Sequence, residues 1–409
     1  MHSIAVAIFI VSYSGIAIGT IPGLAIDRTG IAILGAIAMI ASGVLTTGEA
    51  INSIDFSTIL LLYSLMVISS QFRLGGFYTH IALKITRLMK NPKRFLFTLM
   101  AASAFLSAVL TNDVICLAFT PVLTVSLLRA GYNPVPFLIG LAVSSNIGSA
   151  ATIIGNPQNM LIGQMGRLDF GHFFIWCLPP SILSFFGAFV IITLLYHEKF
   201  HGEASPGVLP QYAWPEFNRH QSTKGIIAAV VLVALFFTGI PREVSAIVIA
   251  GVLLCSRSMR TRMILGLVDW HLITLFCALF ILIQGIQSAD IFTFLMNTLK
   301  DCGIAVHEPY TLAGISVVLS NLVSNVPATM LLTQFLEQSH HLQWYVLALS
   351  STFAGNLIII GSIANLITFE QAKQYGIKIG FVEHARVGIP VTLLSLIVTF
   401  LWIRFAGFG

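Results

Sequence analysis

Charged residues are scarce in this sequence: Asp, Glu, Lys and Arg make up 9% of its 409 residues, whereas hydrophobic residues make up 56%. A soluble domain needs more surface charge than this, so the composition excludes a soluble globular protein. The mean hydropathy of +0.91 indicates a helical protein that crosses the membrane many times. An outer-membrane barrel would show short alternating segments instead.

Paired cysteines and a signal peptide are also lacking. The five cysteines occur singly, with no CxxC spacing, which predicts neither a disulfide framework nor a metal site. The N-terminus has no basic segment and no cleavage site, so residues 3–21 are predicted to be a retained span. The net charge of +5 does not predict a nucleic-acid partner, because basic residues in membrane proteins mainly mark cytoplasmic loops.

Apolar segments of spanning length occur on both sides of a polar connector at residues 199–223. We predict an all-α polytopic membrane protein with about 10 transmembrane helices, five in residues 1–198 and five in residues 224–409. The predicted spans are 3–21, 29–47, 54–71, 135–165, 172–196, 224–239, 242–256, 270–287, 343–368 and 385–407.

Two further apolar regions, 95–128 and 309–336, are each interrupted near the centre. Each arm of the first has about 15 residues, or roughly 22 Å of helix, too short for a bilayer core of about 30 Å. We therefore predict two re-entrant hairpins. Basic flanking residues place the first on the cytoplasmic side, and acidic ones place the second outside. The interruptions are Thr111-Asn112-Asp113 and Ser324-Asn325-Val326-Pro327.

Basic residues also predict the orientation of the chain. With both termini outside, most of the 21 basic residues fall in cytoplasmic segments, as expected for a bacterial-type inner membrane. Amphipathic stretches at 75–90 and 289–302 are predicted to lie along the bilayer surface. The basic residues left outside are Arg167, Arg242, Lys300 and Arg404.

The two halves of the chain resemble each other. Asn112 and Asn325, at the two hairpin turns, are 213 positions apart, and other features recur in the same order. Because each half has an odd number of spans, the second must be inserted upside down relative to the first. This predicts an inverted repeat formed by residues 1–198 and 224–409, joined by the cytoplasmic linker 199–223.

Two of the predicted spans are broken by polar residues, in segments 144–159 and 355–365. Non-helical backbone at membrane depth is stable only where protein or a water-filled cavity provides hydrogen-bond partners for its N–H and C=O groups. Half-helix N-termini suit an oxyanion, unwound carbonyls suit Na⁺, and the alternative for any single asparagine is contact between helices. The candidate binding residues are Thr111, Asn112, Asn146, Gly148, Asn156, Asn159, Ser324, Asn325, Asn356, Gly361, Ser362 and Asn365.

Asp113 is the one acid that the prediction places well inside the membrane. An ionisable group there is costly and therefore a functional candidate. We predict that it binds Na⁺ or carries a proton; the alternative is an acid that caps the following helix. Asp55 and Asp269 lie at span ends and are interpreted as interfacial caps.

One enzyme motif is present, His197-Glu198-Lys199-Phe200-His201, which fits the H-E-x-x-H pattern of zinc proteases. That pattern needs a stable helix and a third ligand. Here it lies where a span leaves the membrane, with Gly202 and Pro206 following. A polar interfacial cluster is the favoured interpretation, and a membrane metalloprotease is the remote alternative.

The chain resembles the ArsB/NhaD permease superfamily, which also contains citrate transporters. The motifs that carry the resemblance are Leu110-Thr111-Asn112-Asp113 with Thr120-Pro121, Asn146-Ile147-Gly148, Gly155-Asn156-Pro157-Gln158-Asn159, Ser324-Asn325-Val326-Pro327, and Gly355-Asn356-Leu357 with Gly361-Ser362-Ile363-Ala364-Asn365.

The resemblance implies a scaffold region and a transport region, hairpin-bound substrate, elevator-like alternating access driven by Na⁺ or H⁺, and a homodimer in the bilayer. The Thr111-Asn112-Asp113 turn of this chain is closer to the arsenite and Na⁺/H⁺ branches than to the dicarboxylate branch. We predict a secondary active transporter, not an enzyme, of a small inorganic or carboxylate anion. Na⁺ is the candidate coupling ion, and no cofactor is expected. The alternative within transport is a Na⁺/H⁺ antiporter or an arsenite efflux permease.

Overall fold

The computed structural model describes residues 2–20, 23–197, 200, 214–256, 259–288, 298, 301 and 305–406. These residues are mostly helical, and none of them lies in a β-strand. The helices before the connector are α1 (His2–Ile18), α2 (Arg28–Ala41), α3 (Thr47–Asn52), α4 (Phe56–Leu74), α5 (Phe77–Thr86), α6 (Pro92–Val109), α7 (Asn112–Arg129), α8 (Val135–Ser149), α9 (Pro157–Met165) and α10 (Phe170–Leu195).

The helices after the connector follow a similar order. Five helices of the described chain are long and apolar enough to cross a bilayer: Phe56–Leu74, Asn112–Arg129, Phe170–Leu195, Trp270–Gln287 and Phe381–Ala406. The prediction of a polytopic helical membrane protein is confirmed, whereas the number of spans stays a prediction. The helices are α11 (Arg219–Phe236), α12 (Arg242–Leu254), α13 (Thr261–Leu265), α14 (Trp270–Gln287), α15 (Pro309–Val323), α16 (Asn325–Leu332), α17 (His341–Ala354), α18 (Ile363–Lys373) and α19 (Phe381–Ala406).

Each predicted hairpin region contains two helices with a very short link. Leu110 and Thr111, both in extended backbone, connect α6 to α7. Ser324 alone connects α15 to α16, with φ 76° and ψ 160°. A positive φ is unfavourable for a residue with a Cβ, so this turn stores backbone strain that the surrounding structure must hold.

The two predicted helix breaks are also present. Residues 150–156 separate α8 from α9, and a 3₁₀ turn at Ile359–Gly361 lies between α17 and α18. Pro157 occupies the first turn of α9, where its missing N–H costs nothing. Asn156 caps this helix, since its Oδ1 accepts a hydrogen bond from the Asn159 N–H at 2.8 Å. Pro157 therefore starts α9, whereas α8 has already ended at Ser149.

Helix packing brings the two halves of the chain together. The most extensive contacts between the halves pair α2 with α14, α4 with α12, and α10 with α19. Within each half, α6 packs on α8 and α15 packs on α17. The first hairpin also reaches the second break, because α7 packs on α18. These contacts place both hairpin turns and both breaks in one buried region.

Asp55 and Asp269 serve as helix caps, as interpreted from the sequence. Asp55 Oδ1 accepts from the Thr58 N–H at 2.8 Å, and Asp269 Oδ1 accepts from the Leu272 N–H at 2.9 Å. Helix α5 lies within the stretch 75–90 that was predicted to be amphipathic. The stretch 289–302 and residues 201–213 of the linker fall on positions outside the described residues, except Thr298 and Asp301.

Candidate functional site

Asn146, on the last turn of α8, is the centre of a hydrogen-bond network that joins both halves. Its Nδ2 donates to Asn356 Oδ1 at 2.9 Å and to Asn365 Oδ1 at 3.2 Å. Its Oδ1 accepts from Asn112 Nδ2 at 3.2 Å and from Ser362 Oγ at 2.9 Å. All four hydrogen-bonding positions of this carboxamide are used. Residues that are far apart in the sequence therefore meet at a single side chain.

A second set of buried amides holds the first break together. Asn156 Nδ2 donates to Ser149 Oγ at 2.9 Å and to Thr352 Oγ1 at 3.2 Å. Asn159 Nδ2 donates to the Thr152 carbonyl at 3.1 Å, and Asn159 Oδ1 accepts from Thr352 Oγ1 at 3.3 Å. Asn156 and Asn159 thus satisfy backbone and hydroxyl groups of the protein itself, which agrees with the alternative role of asparagine between helices.

Four helices begin at one small cavity, which we call the central cavity. Its volume is about 20 Å³, enough for one water molecule. The lining residues lie at the starts of α7, α9, α16 and α18. Four helix N-termini with their partial positive charges therefore surround the cavity. The lining residues are Asn112, Asp113, Pro157, Gln158, Ser324, Asn325, Val326, Ser362 and Ile363.

Several buried amide atoms of the candidate site residues have no hydrogen-bond partner among the described residues. They are Asn112 Oδ1 and Asn325 Oδ1, whose residues line the central cavity, and Asn356 Nδ2, whose residue lies outside that lining. A buried polar atom that stays unpaired costs about 1–3 kcal/mol, so a bound solute or water that pairs with it is stabilised. The two unpaired atoms at the cavity are acceptors, which suit a solute that carries a hydrogen-bond donor, such as water or a protonated oxyanion.

Asp113 lines the central cavity and also a second cavity of about 90 Å³, which we call the Arg73 cavity. The Arg73 cavity lies between α4, the hairpin turn and the segment before α14, and Asp269 stands at its edge. The Asp113 side chain makes no cap hydrogen bond with a described residue, and the N-cap residue of α7 is Thr111. Asp113 thus faces cavities on two sides.

The predicted glycines have packing roles. A Cβ at Gly148 would lie 2.1 Å from the Ala104 carbonyl oxygen, so the missing side chain permits close packing of α8 on α6. Gly148 lies outside the lining of the central cavity, and its contact with the solute stays a prediction. A Cβ at Gly361 would lie 2.7 Å from Asn321 Oδ1. The missing side chain at each glycine therefore lets a neighbouring segment pack closely against the residues of the site.

Two buried residues near the site were missed by the sequence analysis. Thr352 joins the amides of the first break, and a run of hydroxyl residues, Ser350-Ser351-Thr352, could have indicated it, because Ser144-Ser145 precede the first break in the same way. His384 is fully buried, and its Nε2 lies 3.0 Å from the Asn356 carbonyl. Histidine inside a span is a functional candidate, but the predicted span began one residue later.

The zinc-protease motif falls mostly outside the described residues: only His197 and Phe200 are described. Helix α10 ends at Leu195, so it does not extend into the motif to present both histidines from one helix face. No group of three or more potential metal ligands occurs among the residues that the structure describes.

Arg242, the first residue of α12, holds the C-terminal end of α9. Its Nη1 donates to the Leu168 carbonyl at 2.7 Å, and its Nη2 donates to the Gly163 carbonyl at 2.6 Å. The neighbouring Glu243 Oε2 accepts from Gln164 Nε2 at 3.1 Å. A cation at a helix C-terminus complements the helix dipole as well as the free carbonyls.

Replacing Arg242 by glutamine is expected to destabilise the protein by about 2 kcal/mol, because two carbonyls lose a charged donor. The thermal unfolding of purified protein in lipid nanodiscs measures this change. The matched control is Arg219→Gln, at the first position of α11, where the arginine is exposed. Equal unfolding temperatures for the Arg242 and Arg219 variants would contradict the prediction.

Comparison with known proteins gives one family and several relatives. The family described as citrate transporter matches residues 7–354. A 46 kDa membrane protein of Mycobacterium leprae (strain TN) is 29% identical, with 99% of each chain covered. The silicon efflux transporter LSI3 of Oryza sativa subsp. japonica is 25% identical, with 92% of each chain covered.

A solved structure shares the fold. The crystal structure of the Alcanivorax borkumensis YdaH transporter, described as revealing an unusual topology, aligns with a TM-score of 0.57 at 13% identity. The alignment covers 100% of this chain and 98% of that one. At this identity the similarity concerns the fold alone.

Proposed function

The chain belongs to the citrate transporter family, and from that premise we propose that it is a secondary active transporter of a small inorganic or carboxylate anion, coupled to Na⁺ or H⁺. Membership confirms the resemblance drawn from the sequence and makes the protein a multi-pass membrane transporter. The identity of the solute, the coupling ion and the transport mechanism are the proposal.

The observation that carries this proposal is the meeting of four helix N-termini at the central cavity. Each N-terminus carries about half a positive charge and N–H groups without intrahelical partners. Such ends bind carboxylates and oxyanions. A cavity of about 20 Å³ is closed to a citrate-sized solute, so binding requires the hairpin turns to separate.

Several features support alternating access by an inverted repeat. Hairpins and broken helices occur in the same order in residues 1–198 and 224–409. Helices α2, α4, α12 and α14 pack across the halves as a candidate scaffold, while both hairpins and both broken helices enclose the site. We propose that the second group moves against the first in an elevator-like step, in an inner membrane with both chain termini outside.

Export is the second candidate function. The related rice protein is named a silicon efflux transporter, and the Thr-Asn-Asp turn is closer to the arsenite branch. A small neutral or protonated oxyacid could use the amide donors and acceptors without a strong charge. The proposal of an anion carrier and that of an oxyacid exporter differ in direction and in the charge of the solute.

Transport by purified protein in liposomes tests both. Uptake and efflux of labelled citrate, sulfate, phosphate, arsenite, silicic acid and Na⁺ are compared with and without Na⁺ and proton gradients. Gradient-driven accumulation of an anion supports the first proposal, and outward movement of an uncharged oxyacid supports the second. Movement of none of these solutes above protein-free liposomes contradicts both.

Asp113→Asn is expected to reduce gradient-driven transport at least about tenfold, because the variant lacks the one carboxylate at the central cavity that can accept a cation. Initial rates with and without the gradient measure the effect. The control Asp55→Asn changes an interfacial cap that asparagine can replace. Unchanged gradient dependence in the Asp113 variant would rule out the coupling role.

A further inference from the structure

Arg73 and Asp113 line one cavity without touching each other. The Arg73 cavity has a volume of about 90 Å³ and brings the two side chains together with Asp269. Among the described residues, no oppositely charged group lies within 4.0 Å of either Arg73 or Asp113. Both side chains are partly buried. Two unpaired charges of opposite sign therefore face the same enclosed space.

The rest of the cavity offers little to compensate these charges. Ser70 Oγ donates to the Met66 carbonyl at 2.8 Å, and Ser69 Oγ is hydrogen-bonded to Tyr78 Oη at 2.9 Å. Asp269 uses one oxygen as a helix cap. Because an isolated charge is costly in a partly dry site, each of the two charges needs a partner at some stage of the transport cycle.

The Asp113 carboxylate can be compensated in two ways, since the exposed Asp269 carboxylate keeps its contact with solvent. With Asp113, Asp269 and Arg73 all charged, the cavity carries one negative charge in excess, and a single monovalent cation at Asp113 neutralises that carboxylate. When that cation leaves, the Asp113 carboxylate can pair with Arg73 instead. Both side chains line this one cavity, so they can approach each other by a movement within it. Arg73 lies on the last turn of α4, at the end predicted to be cytoplasmic.

We propose that Arg73 is the counter-ion that replaces the coupling cation at Asp113 when the cation is released towards the cytoplasm. This inference rests on the coupling role proposed for Asp113. It adds a residue of the scaffold to the ion site. It also explains why a partly buried arginine lacks an ion pair while it shares a cavity with an acid.

Cation binding by purified protein in lipid nanodiscs tests the proposal without requiring transport. Binding is followed as a rise in unfolding temperature, with Na⁺ titrated at fixed pH and pH titrated at fixed Na⁺. Arg73→Gln is expected to lower the half-saturating concentration of the cation about tenfold, because a competing positive charge is removed. Arg73→Lys is expected to stay close to the wild type. The control Arg87→Gln removes an exposed basic charge on the same predicted side and should have no effect.

A double-mutant cycle separates this role from a merely structural one. Without the cation, the effects of Arg73→Gln and Asp113→Asn on stability should be non-additive, because the two side chains pair. At a saturating cation concentration the effects should add. Additive effects under both conditions, or an unchanged cation affinity in Arg73→Gln, would overturn the proposal, as would a wild type that binds neither Na⁺ nor protons.

The binding and transport results are distinguishable. Cation-dependent coupling in a protein that moves none of the tested solutes would contradict the transport proposal and leave the counter-ion role standing. Gradient-driven transport together with additive effects of the Arg73 and Asp113 substitutions on stability would support the transport proposal and contradict the counter-ion role.

Discussion

Replacing Asn146 by alanine is expected to reduce solute transport by at least about 100-fold, the largest loss for any single side chain of the site. The carboxamide makes four hydrogen bonds to groups on three other segments. Alanine leaves those buried partners unpaired, at a cost of about 1–3 kcal/mol each. Even at about 1 kcal/mol each, three unpaired partners exceed the roughly 2.7 kcal/mol that corresponds to a 100-fold change in rate. Initial uptake rates in liposomes measure the effect.

The matched control is Asn52→Ala, at the exposed end of α3. Asn146→Asp provides a second test, because the carboxylate keeps the acceptors for Asn112 and Ser362 but loses the donors to Asn356 and Asn365. It should also transport poorly, and its elution as a single species in size-exclusion chromatography would show that the loss is not unfolding. Transport by the Asn146→Ala variant at the rate of the Asn52→Ala variant would contradict the proposed binding site.

The second large effect is on stability. Gly148→Ala is expected to destabilise the protein by about 3 kcal/mol, because the new Cβ would lie 2.1 Å from the Ala104 carbonyl oxygen and 2.3 Å from its Cα. These are backbone atoms of the first hairpin arm, so α6 and α8 must move apart. Thermal unfolding in nanodiscs measures the loss, and transport should fall as the first break shifts.

Gly314→Ala is the control, since Gly314 also lies within a helix, α15, but a Cβ added there would meet no atom within 4 Å. Alanine should stabilise that helix slightly, by about 0.5–1 kcal/mol. Opposite signs for two chemically identical substitutions would identify helix contact, not helix propensity, as the cause. A Gly148 variant as stable as the Gly314 variant would show that α6 yields without cost.

The positions at which helices are interrupted were predictable from the sequence because each rests on local chemistry, whereas the re-entrant course of the two hairpins stays a prediction. Polar residues, glycine and proline within an apolar stretch interrupt a helix wherever the chain folds, so the turns at Asn112 and Asn325 and the break before Pro157 fell where expected. The same argument predicted that Asp55 and Asp269 cap helices. The predicted span edges were less accurate, and His384 was missed for that reason.

Only the tertiary structure assigned partners to these residues. Composition cannot distinguish an asparagine that holds a break together, such as Asn159, from one at the cavity, such as Asn325. Nor does it show that Gly148 faces a neighbouring backbone, or that Arg73 and Asp113 share a cavity. Local interruptions of a helix depend on residues a few positions away. Hydrogen bonds and cavities depend on side chains that are distant in the sequence, and the packing of one half of the chain on the other decides them.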